Sequence, residues 1–228
     1  MAQILDRDAL KRAAAERAVA LVTDGMVLGL GSGSTAEIAV ELLAQRVTAG
    51  LDIVGIPTSE RTRVLALRLG VPLTGFEEHA RIDLAIDGAD QVERGTLDLI
   101  KGLGGALLRE KIVAASARRL VIVVDESKLV ARLGAHTALP VEIAAFGWPS
   151  TLDRLQAYRP VLRRTHGQPF TTDGGNHIAD CTIDTIADGR TLNAALHALP
   201  GVLETGLFIG MSSTVIVAGA NGVEEFTQ

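Results

Sequence analysis

A three-part unit recurs along the first 130 residues: a short apolar run, a loop of glycines or polar residues, and a segment with apolar residues at helical spacing. MVLGL leads through GSGST into AEIAVELLAQRV, closed by Gly50, and DIVGI leads into TSERTRVLALRLG. RIDLAI then leads through a carboxylate-rich loop to GGALLREKIVAASA and the strongly apolar RLVIVV. Short apolar runs of this kind are strands buried on both faces, and strands alternating with helices predict an α/β fold with a mainly parallel, Rossmann-like sheet flanked by helices. In such folds ligands bind beyond the carboxyl ends of the strands. Ahead of the first unit, residues 6–22 are alanine-rich with helical spacing, which predicts a helix with Asp6 as its N-cap.

From Ala135 the rhythm changes. LPVEIAAF, WPSTLDRLQAY, PVLRRT, GNHIADCTI, RTLNAALHAL and GVLETG read as strand, helix, strand, strand, helix and strand, the order of a ferredoxin-like α+β unit. The expected organisation is an α/β domain of residues 1–134 and 207–228, with a smaller α+β domain of residues 135–206 inserted before GLFIGMSSTVIVAGANG returns to the main sheet.

Composition narrows the function. With 47% hydrophobic and 21% charged residues the chain is too apolar for a disordered protein, and a net charge of −5 lacks the basic excess of a nucleic-acid binder. The N-terminal stretch has acidic residues before any apolar run and no uninterrupted apolar segment, so neither a signal peptide nor a membrane span is expected, and the protein is read as soluble and cytoplasmic. The single cysteine, Cys181, cannot form an intramolecular disulfide, and its place in the alternating run HIADCTID predicts a buried small side chain.

Four constellations carry chemistry. In GLGSGST, between strand and helix, backbone N–H groups and the hydroxyls of Ser34 and Thr35 can face an anion, phosphate above all; alternatively the glycines only make a tight turn with Ser34 or Thr35 as cap. A dinucleotide fingerprint would need glycine at Ser34, and a Walker A loop lysine there. In IDLAIDGADQVE, Asp83 precedes the strand end and reads as a solvated or capping residue, whereas Asp87 and Asp90 flank Gly88-Ala89 just past it. Such a pair can hold a divalent metal, act as acid and base, bond sugar hydroxyls, or simply shape the turn. None of His79, His136, His166, His177 and His197 is spaced as a ligand pair, so no metal centre is expected. In KGLGGALLREK, glycines beside Lys101 let a ligand approach the backbone. A helix beginning near Gly104 would place Glu110 two turns in among apolar neighbours, either as a general base with raised pKa or as a surface residue paired with Lys111 or Lys101. In VIVVDESKLV, Lys128 follows a buried strand and suits a phosphate contact, or is an ordinary surface lysine.

Taken in order, GLGSGSTAE, DGADQVE, KGLGGALLREKIVA and DESKLV resemble ribose-5-phosphate isomerase of the A type, and LPGVLETGLF extends the likeness into the tail. Three departures stand out: Gln91 where an acidic residue usually completes the pattern, Ser32 where threonine is common, and Leu103 within the glycine run. The resemblance implies interconversion of ribose 5-phosphate and ribulose 5-phosphate through an enediolate, in the non-oxidative pentose phosphate pathway, without metal or organic cofactor. It implies Glu110 as general base, with Lys101 and the amides of Gly102, Leu103, Gly104 and Gly105 as oxyanion donors. Asp87, Gly88, Ala89 and Asp90 would serve the sugar hydroxyls and the proton traffic between substrate oxygens. Ser32, Gly33, Ser34 and Thr35, with Lys128 and Lys11 of the first helix, would hold the phosphate. A homodimer or a dimer of dimers is implied as well. Two other classes share the architecture: a sugar-phosphate-sensing regulator, for which the acidic chain has no DNA-binding appendage, and a CoA transferase-like or amino-sugar phosphate deaminase enzyme, against which KGLGGALLRE argues.

Overall fold

The computed structural model describes residues 7–228. By internal packing the chain divides into two units, one comprising the described part of Met1–Ala89 with Arg109–Leu129 and Met211–Gln228, the other Asp90–Leu108 and Val130–Gly210. The predicted N-cap Asp6 lies outside the described residues.

The first unit is built on a six-stranded sheet. Its strands are β1 (Met26–Leu30), β2 (Ile53–Pro57), β3 (Leu84–Asp87), β4 (Leu120–Asp125), β5 (Thr214–Gly219) and β6 (Gly222–Thr227), in the order β6-β5-β4-β3-β1-β2. All neighbours are parallel except the β5–β6 hairpin at one edge. The helices are α1 (Arg7–Val19), α2 (Ser34–Thr48), α3 (Glu60–Arg68) and α4 (Leu107–Ser116). Side chains alternate across a pleated strand, and the packing follows that rule. Leu28, Leu30, Leu84, Ile86, Val121 and Val123 share one core with Ala14, Ala15 and Ala18 of α1 and Ala39, Val40 and Leu43 of α2. The opposite face shows Gly29 and Ala85 to α4, so closely that a Cβ on Gly29 would come 2.5 Å from Val113 Cγ1. The sheet is therefore covered on both faces, as the apolar runs predict.

In the second unit the four strands Leu139–Ile143, Pro160–Leu162, His177–Cys181 and Val202–Thr205 form an antiparallel sheet. Numbered in chain order they lie 4-1-3-2, with helices Trp148–Arg154 and Gly189–His197 as the crossovers. The short strands Gln91–Glu93, Leu99–Ile100 and Leu207–Phe208 also belong to this unit, paired as a small antiparallel sheet. Expected beside the main sheet, Leu207-Phe208 instead bonds Leu99-Ile100, and the chain enters β5 only at Thr214. Contacts thus set the unit boundaries at Asp90 and Gly210, rather than at the ends of the ferredoxin-like run.

Cys181 is fully buried in its strand, and burial, with Asp180 beside it, pushes its thiol up to about 12. Since the thiolate is the reactive form, the folded protein at pH 8 should resist iodoacetamide and label only on unfolding. Labelling within minutes would show that this strand opens. Among the described residues no helix is long and apolar enough to cross a membrane.

Candidate active site

The carboxyl edge of the parallel sheet gathers one set of candidate residues. β1 ends at Leu30 opposite Ile86, so the glycine loop and Asp87 leave the sheet side by side. Asp87 is buried, and its Oδ1 accepts the Ser32 N–H at 3.1 Å and the Gly88 N–H at 2.8 Å. A Cβ on Gly31 would lie 2.3 Å from that oxygen, so glycine is what lets the two chains approach.

Ser32 is turned inward. Its hydroxyl donates to Ser59 Oγ at 2.7 Å and lies 2.8 Å from Thr58 Oγ1 and 3.2 Å from Thr62 Oγ1. Thr58 and Thr62 close the cluster on the carbonyls of Leu30 and Gly31. With both its N–H and its hydroxyl engaged inside the protein, Ser32 braces the loop, and the outward donors are those that follow it. Gly33, at φ +93°, is the N-cap of α2, and no side chain caps that helix, neither Ser34 nor Thr35. Gly33 and Ser34 are exposed and Thr35 is half-buried, which leaves the positive end of a 15-residue helix open to an anion. Thr58, Ser59 and Thr62 were not singled out from the sequence; the signal was three hydroxyl residues just past the second strand.

α4 begins at Leu107, not near Gly104. Gly102 at φ +106° and Gly105 at φ +85° hold the preceding loop out of helical geometry, with the Gly105 N–H turned back onto Gly102 O at 3.0 Å. Glu110 therefore lies in the first turn of the helix rather than two turns in. The C-terminal end of α4 meets the amino end of the sheet, where Ser116 O accepts the Ile82 N–H ahead of β3. Val113 lies against Gly29 and Ala85. Glu110 is one turn earlier on the same side, about 4.5 Å nearer the carboxyl edge, toward the level of Gly31 and Asp87. It is buried, and the partial positive charge of the helix end acts against the desolvation of its carboxylate. Just before it, Arg109 donates to Glu60 at 3.0 Å, tying α4 to α3; hydrogen bonds from Arg63 and then Arg109 hold the Glu60 carboxyl below the usual carboxylate range.

Lys128 sits half-buried in a single turn of 3₁₀ helix after β4, capped by Asp125, at the same edge. Lys11, in the first half of α1, pairs with Asp8 at 3.2 Å. α1 ends at the amino side of the sheet, where Arg46 in the last turn of α2 bonds Val19 O, so Lys11 lies toward the carboxyl side.

The second unit carries the other set. Lys101 is buried, its ammonium 5.6 Å from the centre of the Phe208 ring. Its backbone N–H bonds Gly206 O at 2.9 Å, and Gly206 packs so tightly that a Cβ there would lie 2.3 Å from Lys101 O. Asp90 Oδ2 accepts the Leu103 N–H at 2.9 Å, while the Leu103 side chain is about half exposed. Gln91 answers its departure from the acidic pattern: its carbonyl accepts the Gly134 N–H at 2.9 Å and its NH₂ donates to Ala135 O, a donation a carboxylate could not make. Among the described residues no group of three or more His, Cys, Asp or Glu is arranged to hold a metal ion.

An α/β sheet that offers an uncapped helix N-terminus beside buried carboxylates is the framework of a protein that handles small anions. A family model described as ribose 5-phosphate isomerase A (phosphoriboisomerase A) matches residues 54–222. Ribose-5-phosphate isomerase A of Gloeobacter violaceus is 58% identical over 226 residues, 98% of each chain. Among solved structures, ribose 5-phosphate isomerase A of Methanocaldococcus jannaschii superposes with a TM-score of 0.93 at 38% identity, covering 98% of this chain and 100% of its own. A D-ribose-5-phosphate isomerase in complex with phospho-erythronic acid gives a TM-score of 0.93 at 33% identity, with 98% and 100% covered. This chain belongs to the ribose 5-phosphate isomerase A family.

Proposed function

We propose that the protein interconverts D-ribose 5-phosphate and D-ribulose 5-phosphate by proton transfer, in the non-oxidative pentose phosphate pathway. The observation that carries this reading is near-full-length membership of the family; a buried Glu110 in the first turn of α4 and a buried Asp87 at the end of β3 support it. In the open-chain aldose, the Glu110 carboxylate takes the proton from C2, and the electron pair moves through C1 onto the carbonyl oxygen. Lys101 and the amides of Gly102 and Gly104 hold the oxyanion that results, while the Leu103 and Gly105 amides, bonded to Asp90 and to Gly102 O, shape the loop. Glu110 returns its proton to C1, and the proton on the C2 oxygen passes to the C1 oxygen, leaving the ketose. Asp87 and Asp90, with Gly88 and Ala89 between them, hold the hydroxyls and carry that second proton. Gly33, Ser34 and Thr35, braced by Ser32, bind the phosphate with Lys128 and Lys11, which fixes the register of the sugar.

Every group in this scheme is a side chain or amide of the protein, so turnover of ribose 5-phosphate should persist in excess EDTA. Absence of ketose formation overturns the functional reading, and activity that disappears with EDTA overturns the metal-free mechanism. A homodimer or a dimer of dimers in the cytoplasm completes the proposal.

A further inference from the structure

Within the second unit, the loop that carries Lys101 is held by a residue outside all four motifs. Arg163 follows the strand Pro160–Leu162, and its guanidinium is mostly buried. It is gripped by both carboxylate oxygens of Asp180, with Nε to Oδ2 at 2.9 Å and Nη2 to Oδ1. The remaining nitrogen, Nη1, donates to Gly102 O and to Leu103 O, each at 3.0 Å. The guanidinium carbon also lies 5.9 Å from the centre of the Phe170 ring, and the same ring fills the space where Gly105 would carry a Cβ, 2.5 Å away.

We propose that Arg163 is a positioning residue for the isomerisation, fixing the Lys101–Gly105 loop through the carbonyls of Gly102 and Leu103 and polarising the Gly104 amide. This rests on the reading that the Gly104 amide faces the developing oxyanion. Each carbonyl belongs to the same peptide group as the next residue's N–H: Gly102 O with Leu103 N–H, and Leu103 O with Gly104 N–H. A cation at the oxygen draws electron density from the nitrogen and strengthens the hydrogen bond that its N–H donates. The Gly102–Leu103 peptide thus has Arg163 at its oxygen and Asp90 at its nitrogen, opposite charges at the two ends of one dipole. That arrangement opposes rotation of the peptide in a glycine-rich loop, which would otherwise sample many conformations. Asp180 in turn holds the guanidinium in one orientation, as a bidentate pair does.

The test compares Arg163→Ala, Arg163→Lys and Asp180→Asn with wild type for kcat, KM for ribose 5-phosphate, inhibition by phospho-erythronic acid and thermal unfolding. Phospho-erythronic acid is a useful probe because its carboxylate shares negative charge over two oxygens, as an enediolate does. In Arg163→Ala, kcat should fall about a hundredfold, the scale for loss or misplacement of an oxyanion donor. KM should change less than about threefold, since the phosphate is held elsewhere, and the inhibitor should weaken along with kcat. Millimolar guanidinium should recover at least about tenfold of the lost rate in Arg163→Ala and leave wild type unaffected. Arg163→Lys keeps the charge but cannot pair Asp180 through two nitrogens and reach both carbonyls, so it should still lose about tenfold. If Arg163→Ala does not fold, Arg163→Lys and Asp180→Asn decide by the same readings. A kcat within about threefold of wild type in the folded variants overturns the proposal, as does a fall in kcat with unchanged inhibitor affinity. Inactive wild type overturns the functional reading itself; active wild type with unaffected variants overturns only the role of Arg163.

Discussion

Glu110→Gln lowers kcat for ribose 5-phosphate at least about a hundredfold while KM stays close to wild type. The substitution keeps the shape of the side chain and its capacity for hydrogen bonds, and removes only the carboxylate proposed to accept the C2 proton. A positioned general base contributes about 10²–10⁴-fold, so the low end of that range is the minimum expected. Glu110 is buried in the first turn of α4, which Val113 fixes against the sheet at Gly29. The amide therefore occupies the same place without carrying out the chemistry. Steady-state rates in water, with the variant's fold checked by circular dichroism, decide the matter. A variant near the wild-type rate would move the base to another residue.

Gly31→Ala has the second large effect, and it acts by sterics alone. Its new Cβ would lie 2.3 Å from Asp87 Oδ1, 2.5 Å from Cγ and 2.6 Å from the Cα. Rotation of the Asp87 side chain relieves the first two clashes but not the third, so the two strand ends must separate. Overpacking of this kind costs about 1–3 kcal/mol. The same displacement breaks the bond from Ser32 N–H to Asp87 Oδ1, and a shift of about 1 Å in a substrate-holding group can cost about a hundredfold in rate. Both a lowered Tm and a kcat reduced on that scale are expected. Wild-type Tm and activity in this variant would contradict the close approach of the glycine loop to Asp87.

The parallel sheet was legible because its strands are buried on both faces and so appear as unbroken apolar runs, of which LVIVV in β4 is the plainest. The βαββαβ run was legible for a different reason, the alternation in HIADC and the helical period of TLNAALH. Leu207-Phe208 was misplaced because a two-residue strand has no period to read, and its partner lies more than 100 positions earlier. The start of α4 was set three residues early since glycine is compatible with either a helix start or a turn, and only the positive φ of Gly102 and Gly105 distinguishes them. In the candidate site, motif spacing set the glycine loop and Asp87 past strand ends, and the structure has them side by side there. The inward turn of the Ser32 hydroxyl was not legible, because an inward hydroxyl looks the same in sequence as an outward one. Arg163 and Asp180 lay beyond reach altogether, since the carbonyls that Arg163 holds are about 60 positions away.

The pairing of Lys101 N–H with Gly206 O, and of Leu99-Ile100 with Leu207-Phe208, has a consequence for the order in which this molecule matures. The lysine loop is made early, yet the strand that secures it follows more than 100 residues later. β5, the parallel neighbour of β4, follows later still. Non-local pairings of this kind must wait for loop closure and are slow to form. A nascent chain that already holds every residue of the four motifs is therefore still without its finished lysine loop. Completion of that loop waits on residues 206–208, which are made only after all four strands of the second unit's larger sheet.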